Sequence, residues 1–181
     1  SFPHPGGCII GVRPVDLFIE GFKKMGAKVS VKDGMYVVEA KTGLHGAEFF
    51  LKNQSVTVTE TFMMAGVLAK GVTTIKNAAL EPEIKELADF LNRAGAKISG
   101  AGTPLITIKG GKLLLGKKAS YVTMPDRIEA GSFLVLGALA ARELHIKNCN
   151  PLHLQSPIEL LRSAGVPIEV KKTEIIVRAP S

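Results

Sequence analysis

One pattern occurs twice in this chain and restricts it to an architecture assembled from similar units. Phe62-Met63-Met64-Ala65-Gly66-Val67-Leu68-Ala69, followed by Thr74-Ile75-Lys76-Asn77, returns as Phe133-Leu134-Val135-Leu136-Gly137-Ala138-Leu139-Ala140 followed by His145-Ile146-Lys147-Asn148. Downstream of each copy lies a second helical segment that ends in Ala94-Gly95-Ala96-Lys97-Ile98 or Ala164-Gly165-Val166-Pro167-Ile168. Met25-Gly26-Ala27-Lys28-Val29 supplies a third copy of that ending. The chain therefore holds two repeats and the latter part of another.

The first helix of each unit, about Glu60 to Lys70 and about Arg127 to Ala141, is apolar on nearly every side, which predicts burial all round. The second, Pro82 to Arg93, carries Ile84, Leu87, Ala88, Leu91 and Ala94 at three-and-four spacing, opens on proline and stops at Gly95. Strands follow: Lys97 to Ser99, a Gly100-Ala101-Gly102 turn and Leu105 to Lys109, matched by Val29 to Val31 with Met35 to Glu39 and by Ile168 to Val170 with Glu174 to Arg178. The unit is helix, strand, helix, hairpin, and the fold class is α/β, with sheets around a helical centre. Met124-Pro125-Asp126 interrupts the pattern and sets the expected boundary between a domain 1–124, with two repeat units, and a second domain 125–181, with one. Pro157 falls inside the last unit's second helix, so that helix either starts late, with Ser156 as N-cap, or kinks.

With 181 residues and 46% hydrophobic composition the chain can bury a sizeable core. Its longest apolar run, Phe133 to Ala141, is far short of the roughly 20 residues that cross a bilayer. Ser1 to Arg13 lacks the layout of a signal peptide. The expectation is neither a membrane span nor a secreted precursor. Cys8 and Cys149 are too few for a disulfide framework, though enough for one bridge, and a reducing cytoplasm is the simpler setting. A net charge of +7 favours anionic partners. The Lys and Arg are scattered, however, and with no Trp and two Tyr for base stacking the layout argues against nucleic acid.

Chemistry concentrates in Pro5-Gly6-Gly7-Cys8-Ile9-Ile10-Gly11-Val12-Arg13-Pro14-Val15-Asp16-Leu17. A glycine-bearing loop runs into a helix whose first turn is set by Pro14, so free amides, the helix dipole and the Arg13 guanidinium make a site for phosphate or carboxylate. Cys8 in that loop reads either as a general acid or nucleophile or as an idle, buried cysteine. Asp16 reads either as part of the site or as a helix cap.

These residues resemble the reactive loop of the UDP-N-acetylglucosamine 1-carboxyvinyltransferase family of enolpyruvyl transferases. The likeness continues through Ser55-Val56 with Thr59-Glu60, Asn77-Ala78-Ala79 with Glu81-Pro82-Glu83-Ile84, Gly95 to Thr103, and Pro125-Asp126-Arg127-Ile128-Glu129-Ala130-Gly131. It covers essentially this whole chain, as a middle portion of the family's length. The resemblance implies an inside-out α/β barrel of two domains with helices within, and transfer of the enolpyruvyl group of phosphoenolpyruvate to the 3-hydroxyl of UDP-N-acetylglucosamine, the first committed step of peptidoglycan synthesis, without metal or cofactor. It implies that Cys8 protonates the enolpyruvyl methylene and is alkylated by fosfomycin, and that Arg13 contacts phosphoenolpyruvate. Nucleotide-sugar contacts map to Arg13, Pro14, Val15, Asp16 and Leu17 and to Asn53, Gln54, Ser55 and Val56.

The chain departs from the family's pattern at His4, Phe18, Leu80 and Thr57-Val58, and at Asn53, where a lysine is common. The family's amino-terminal Lys-Asn pair, a further arginine and the general-base aspartate have no counterpart. The expected partners are therefore the two substrates and the missing segments of the same enzyme, and the isolated chain is expected not to turn over fully. Two other readings are a non-catalytic nucleotide- or anion-binding module and a shikimate-pathway enolpyruvyl transferase; the latter shares the fold but lacks the cysteine loop.

Weaker signals have structural explanations. His145, Cys149 and His153 recur every four residues, the spacing of metal ligands on a helix, but the repeat puts His145 on a strand. Glu81 and Glu83 complement a helix dipole. Asp126 and Glu129 have capping-box spacing, and Met63-Met64 fills core.

Overall fold

The structure is a computed structural model that describes residues 1–4, 15–116 and 120–179. Cys8, Arg13 and Pro14 lie outside the described residues. The chain divides into two compact units, Ser1–Tyr121 and Val122–Ser181.

The first unit contains β1 (Phe2–Pro3), α1 (Asp16–Lys24), β2 (Lys28–Lys32), β3 (Met35–Glu39), β4 (Glu48–Phe50), α2 (Val56–Leu68), β5 (Val72–Lys76), α3 (Pro82–Arg93), β6 (Ile98–Ser99) and β7 (Leu105–Lys109). Strands β1, β3 and β2 form an antiparallel sheet in that order, and β4, β5, β7 and β6 form a second in which only the β4–β5 pair is parallel. The helix α2 packs against α1, α3, β5 and β7 and buries Val58, Thr59, Phe62, Met63, Gly66 and Val67. Its Phe62 ring stacks on Phe49 of β4, with centroids 4.5 Å apart, and meets Phe22 of α1 edge-on at 5.5 Å. The predicted central helix thus exists, but it starts at Val56 rather than Glu60, because Ser55 supplies an N-cap to the Val58 amide. Met63 is core, whereas Met64 is half exposed, a correction to the reading of the pair as filling.

Helix α3 has the predicted bounds. Pro82 opens it, Ile84 and Ala88 face the core, and beyond Ala94 the left-handed Gly95 lets the Ala96 amide close back on the Leu91 carbonyl at 2.9 Å. The Asn92 side chain then clamps β6, donating to the Ile98 carbonyl and accepting from its amide.

The second unit contains α4 (Arg127–Ala140), β8 (Glu143–Lys147), a short 3-10 turn (Pro151–Leu154), α5 (Gln155–Ser163), β9 (Ile168–Val170) and β10 (Glu174–Arg178), with an antiparallel sheet ordered β8, β10, β9. Asp126 is the cap of α4, accepting from the Ile128 and Glu129 amides. Pro157 is accommodated by the late start, since a 3-10 turn capped by Asn150 precedes α5 and puts the proline in its first turn. Ser156 is inside the helix and is not the cap. The expectation that this unit's first helix is buried on every side is corrected. Ala130, Leu134, Gly137 and Ala138 are buried, but Ile128, Leu136 and Leu139 are exposed, because among the described residues mainly the sheet and the 3-10 turn pack on α4.

The repeated glycine has a steric origin. A Cβ on Gly137 would overlap Val177 Cγ1 and lie 2.9 Å from Leu144 Cδ2, and one on Gly66 would lie 3.1 Å from Thr73 Cβ, so each helix approaches its sheet to glycine distance. The Gly137→Ala variant is expected to lose about 1–3 kcal/mol by overpacking, read as a lower urea midpoint, and Gly66→Ala to lose less. Equal stability of Gly137→Ala and the parent contradicts this packing.

Candidate functional site

Two helix starts converge on one cleft. Val15, Leu17 and Phe18 at the beginning of α1 and Ser55, Thr57 and Val58 at the beginning of α2 line a cavity of about 470 Å³, closed on another side by Phe2 and Val38. First-turn amides of a helix have no intrahelical acceptor, and the dipole adds positive potential, so the two starts supply donors for an anionic or carbonyl-rich ligand. The wall is mostly apolar, which suits a ring or sugar face next to those donors.

The turn before α2 is held rigid by side chains that cross the fold. Gln54 donates through Nε2 to the Ala78 carbonyl at 3.1 Å, and Asn77, in the left-handed region at φ 57°, donates to the Leu51 carbonyl at 2.7 Å. Thr59 is fully buried. Its hydroxyl donates to the Ser55 carbonyl at 2.8 Å and accepts from the Ala79 amide at 3.1 Å. Sequence reasoning missed Thr59. Its signal was a hydroxyl residue among apolar neighbours on a buried helix, where an unpaired hydroxyl is costly.

Of the sequence-predicted site residues, Val15, Leu17 and Ser55 share the cleft lining. Asp16 is exposed in the first turn of α1, with Val15 at the N-cap position. Val56 is the first residue of α2, Asn53 is exposed in the preceding turn, and Gln54 is engaged with Ala78.

Glu60, one turn into α2, is held above the ordinary carboxylate range by partial burial and by the nearby Glu83 charge. In the second unit, His145 bonds Glu143 through Nε2 and Glu174 through Nδ1, both at 2.8 Å, which raises its pKa and favours the imidazolium. Cys149 is buried, its thiol pushed up by desolvation and its Sγ 3.4 Å from the Ile146 carbonyl. His153 accepts from Asn150. The His145, Cys149 and His153 side chains do not converge: among the described residues no group of three His, Cys, Asp or Glu is placed to hold a metal ion. No helix among them is long and apolar enough to cross a membrane.

Solved structures share this architecture. The enolpyruvyl transferase NikO from Streptomyces tendae superposes with a TM-score of 0.81 at 22% identity, over 92% of this chain and 42% of that one. EPSP synthase from Acinetobacter baumannii gives 0.65 at 19%, over 92% and 40%. The fold is that of the enolpyruvyl transferases. A family profile described as EPSP synthase (3-phosphoshikimate 1-carboxyvinyltransferase) matches residues 2–181, and the chain belongs to that family. Curated relatives named UDP-N-acetylglucosamine 1-carboxyvinyltransferase are 46% identical in Bdellovibrio bacteriovorus and 45% in Finegoldia magna, each over 96% of this chain. The chain spans about 41% of the length of those relatives.

For an acid with a raised pKa the folded state binds its proton more tightly, so Glu60 favours folding below the ordinary value of 4.5 and loses that contribution as pH rises through its raised value. In a carboxyl NMR titration Glu60 is expected to titrate above 4.5, with a lower midpoint in Glu83→Gln. An unchanged midpoint in that variant contradicts the coupling.

Proposed function

We propose that this chain carries the reactive loop and part of the nucleotide-sugar site of a UDP-N-acetylglucosamine 1-carboxyvinyltransferase, acting in the cytoplasm in peptidoglycan synthesis. The observation that carries the reading is the cleft in which Val15 and Leu17 meet Ser55: two segments far apart in sequence, both tied to the nucleotide sugar by resemblance, line one cavity. The relatives' names support this acceptor over a shikimate-type one, as does the Pro5-Gly6-Gly7-Cys8 loop.

In the proposed reaction the 3-hydroxyl of the sugar gives its proton to a general base as its oxygen bonds to C2 of phosphoenolpyruvate, while the methylene C3 takes a proton from the Cys8 thiol, giving a tetrahedral adduct. The C2–phosphate oxygen bond then breaks, C3 returns its proton, and enolpyruvyl ether and inorganic phosphate leave. Arg13 offers a fork of donors to the anionic groups of phosphoenolpyruvate. The rigid turn anchored by Gln54, Asn77 and Thr59 holds the start of α2 against the nucleotide sugar, so less ordering is needed on binding. The acceptor's general base belongs to the segments of the enzyme beyond these residues.

Fosfomycin tests the reading. Incubated with UDP-N-acetylglucosamine and the remaining segments of the enzyme, the chain is expected to gain one covalent adduct on Cys8, read by intact mass and peptide mapping, and none in Cys8→Ala. Absence of an adduct on Cys8 in that mixture overturns the enzymatic reading and leaves a binding module.

A further inference from the structure

The three copies of the helix-to-hairpin junction differ in the charge of one facing pair of residues. In the first copy Lys28 lies opposite Glu39 across the hairpin. In the last copy Pro167 accepts from the Arg178 amide at 3.0 Å, and the Arg178 guanidinium is neutralised by Glu143 at 2.6 Å and Glu169 at 3.3 Å. In the middle copy the two equivalent positions are Lys97 and Lys109, joined by the Lys109 amide to the Lys97 carbonyl at 2.9 Å. Like charges directly opposite on a sheet repel. Neither lysine makes an ion pair or a side-chain hydrogen bond among the described residues, whereas Glu39 stands opposite Lys28 in the first copy and carboxylates pair with Arg178 in the last.

The same two side chains border two adjoining clefts. One, of about 340 Å³, is lined by Lys97, Lys109 and a third lysine, Lys112, against Val67, Ala96 and Leu114. The other, of about 290 Å³, lies on the Ser99 and Thr107 side of the pair. Among the described residues no acidic side chain lines either. Three lysines lining one concavity bring positive potential to it, and each ammonium is a point charge with three donors, suited to non-bridging phosphate oxygens.

We propose that the Lys97, Lys109 and Lys112 cleft is a binding site for a small oligophosphate, two or more linked phosphate groups whose charge offsets the lysine repulsion. It is separate from the cleft at the starts of α1 and α2, shares no residue with it, and does not depend on the enolpyruvyl reading. A single phosphate meets fewer of the ammonium groups and is expected to bind more weakly.

The test is inorganic pyrophosphate added to the chain, with sodium chloride at matched ionic strength as reference. Pyrophosphate is expected to raise the thermal midpoint above the chloride reference and to shift the amide resonances of Lys97, Lys109 and Lys112. The Lys97→Gln and Lys109→Gln variants are each expected to bind about tenfold more weakly, and the double variant to lose the effect. In chloride alone the double variant is expected to be at least as stable as the parent, since the repulsion is gone, which separates lost binding from lost folding. Equal stabilisation of parent and double variant by pyrophosphate overturns the proposal. So does lysine-dependent binding of a single-stranded oligonucleotide or of anionic phosphatidylglycerol vesicles with no response to pyrophosphate.

Discussion

The approach of each repeat's first helix to its sheet is the contact on which the rest of the structure depends. At Gly66 against Thr73 and Ile108, and at Gly137 against Val177 and Leu144, a Cβ would crowd or overlap the strand side chains, so glycine allows the close approach. Close packing on that scale couples neighbouring elements, because a core near crystal density transmits any added methyl to its surroundings. In the first unit the result is that α2 has α1, α3 and two strands around it, and Phe62 can reach both Phe22 and Phe49.

The cleft inherits its shape from that packing. Gly21 of α1 sits against the Phe62 ring, where a Cβ would overlap it, so α1 and α2 pack closely beside the cleft. The turn between β4 and α2 is fixed from the other direction by Gln54, Asn77 and Thr59, which satisfy backbone groups that would otherwise be unpaired.

Much of the architecture was legible because the repeat and the helix signals agree. Pro82, the three-and-four apolar spacing and Gly95 mark where α3 begins and ends, and the hairpin Ile168–Val170 with Glu174–Arg178 follows from alternation and a turn. What sequence did not give was tertiary in origin. A helix apolar all round reads the same whether one sheet or several elements surround it, so the exposed Ile128, Leu136 and Leu139 of α4 were not foreseen. The cap at Ser55, one turn before the expected start, and the displaced start of α5 depend on local hydrogen bonds that composition does not rank. The proposed site was suggested as two separate segments by family resemblance. Their meeting in one cavity, the role of Thr59 and the unbalanced lysine pair needed coordinates.

The central claim is that the starts of α1 and α2 together form a nucleotide-sugar surface. The direct measurement is an amide NMR titration of the isotope-labelled chain, combined with the unlabelled remaining segments of the enzyme, with UDP-N-acetylglucosamine. The account predicts saturable shifts at Val15, Leu17, Ser55 and Val58. Shifts that avoid both helix starts, or no saturable shift, would contradict it.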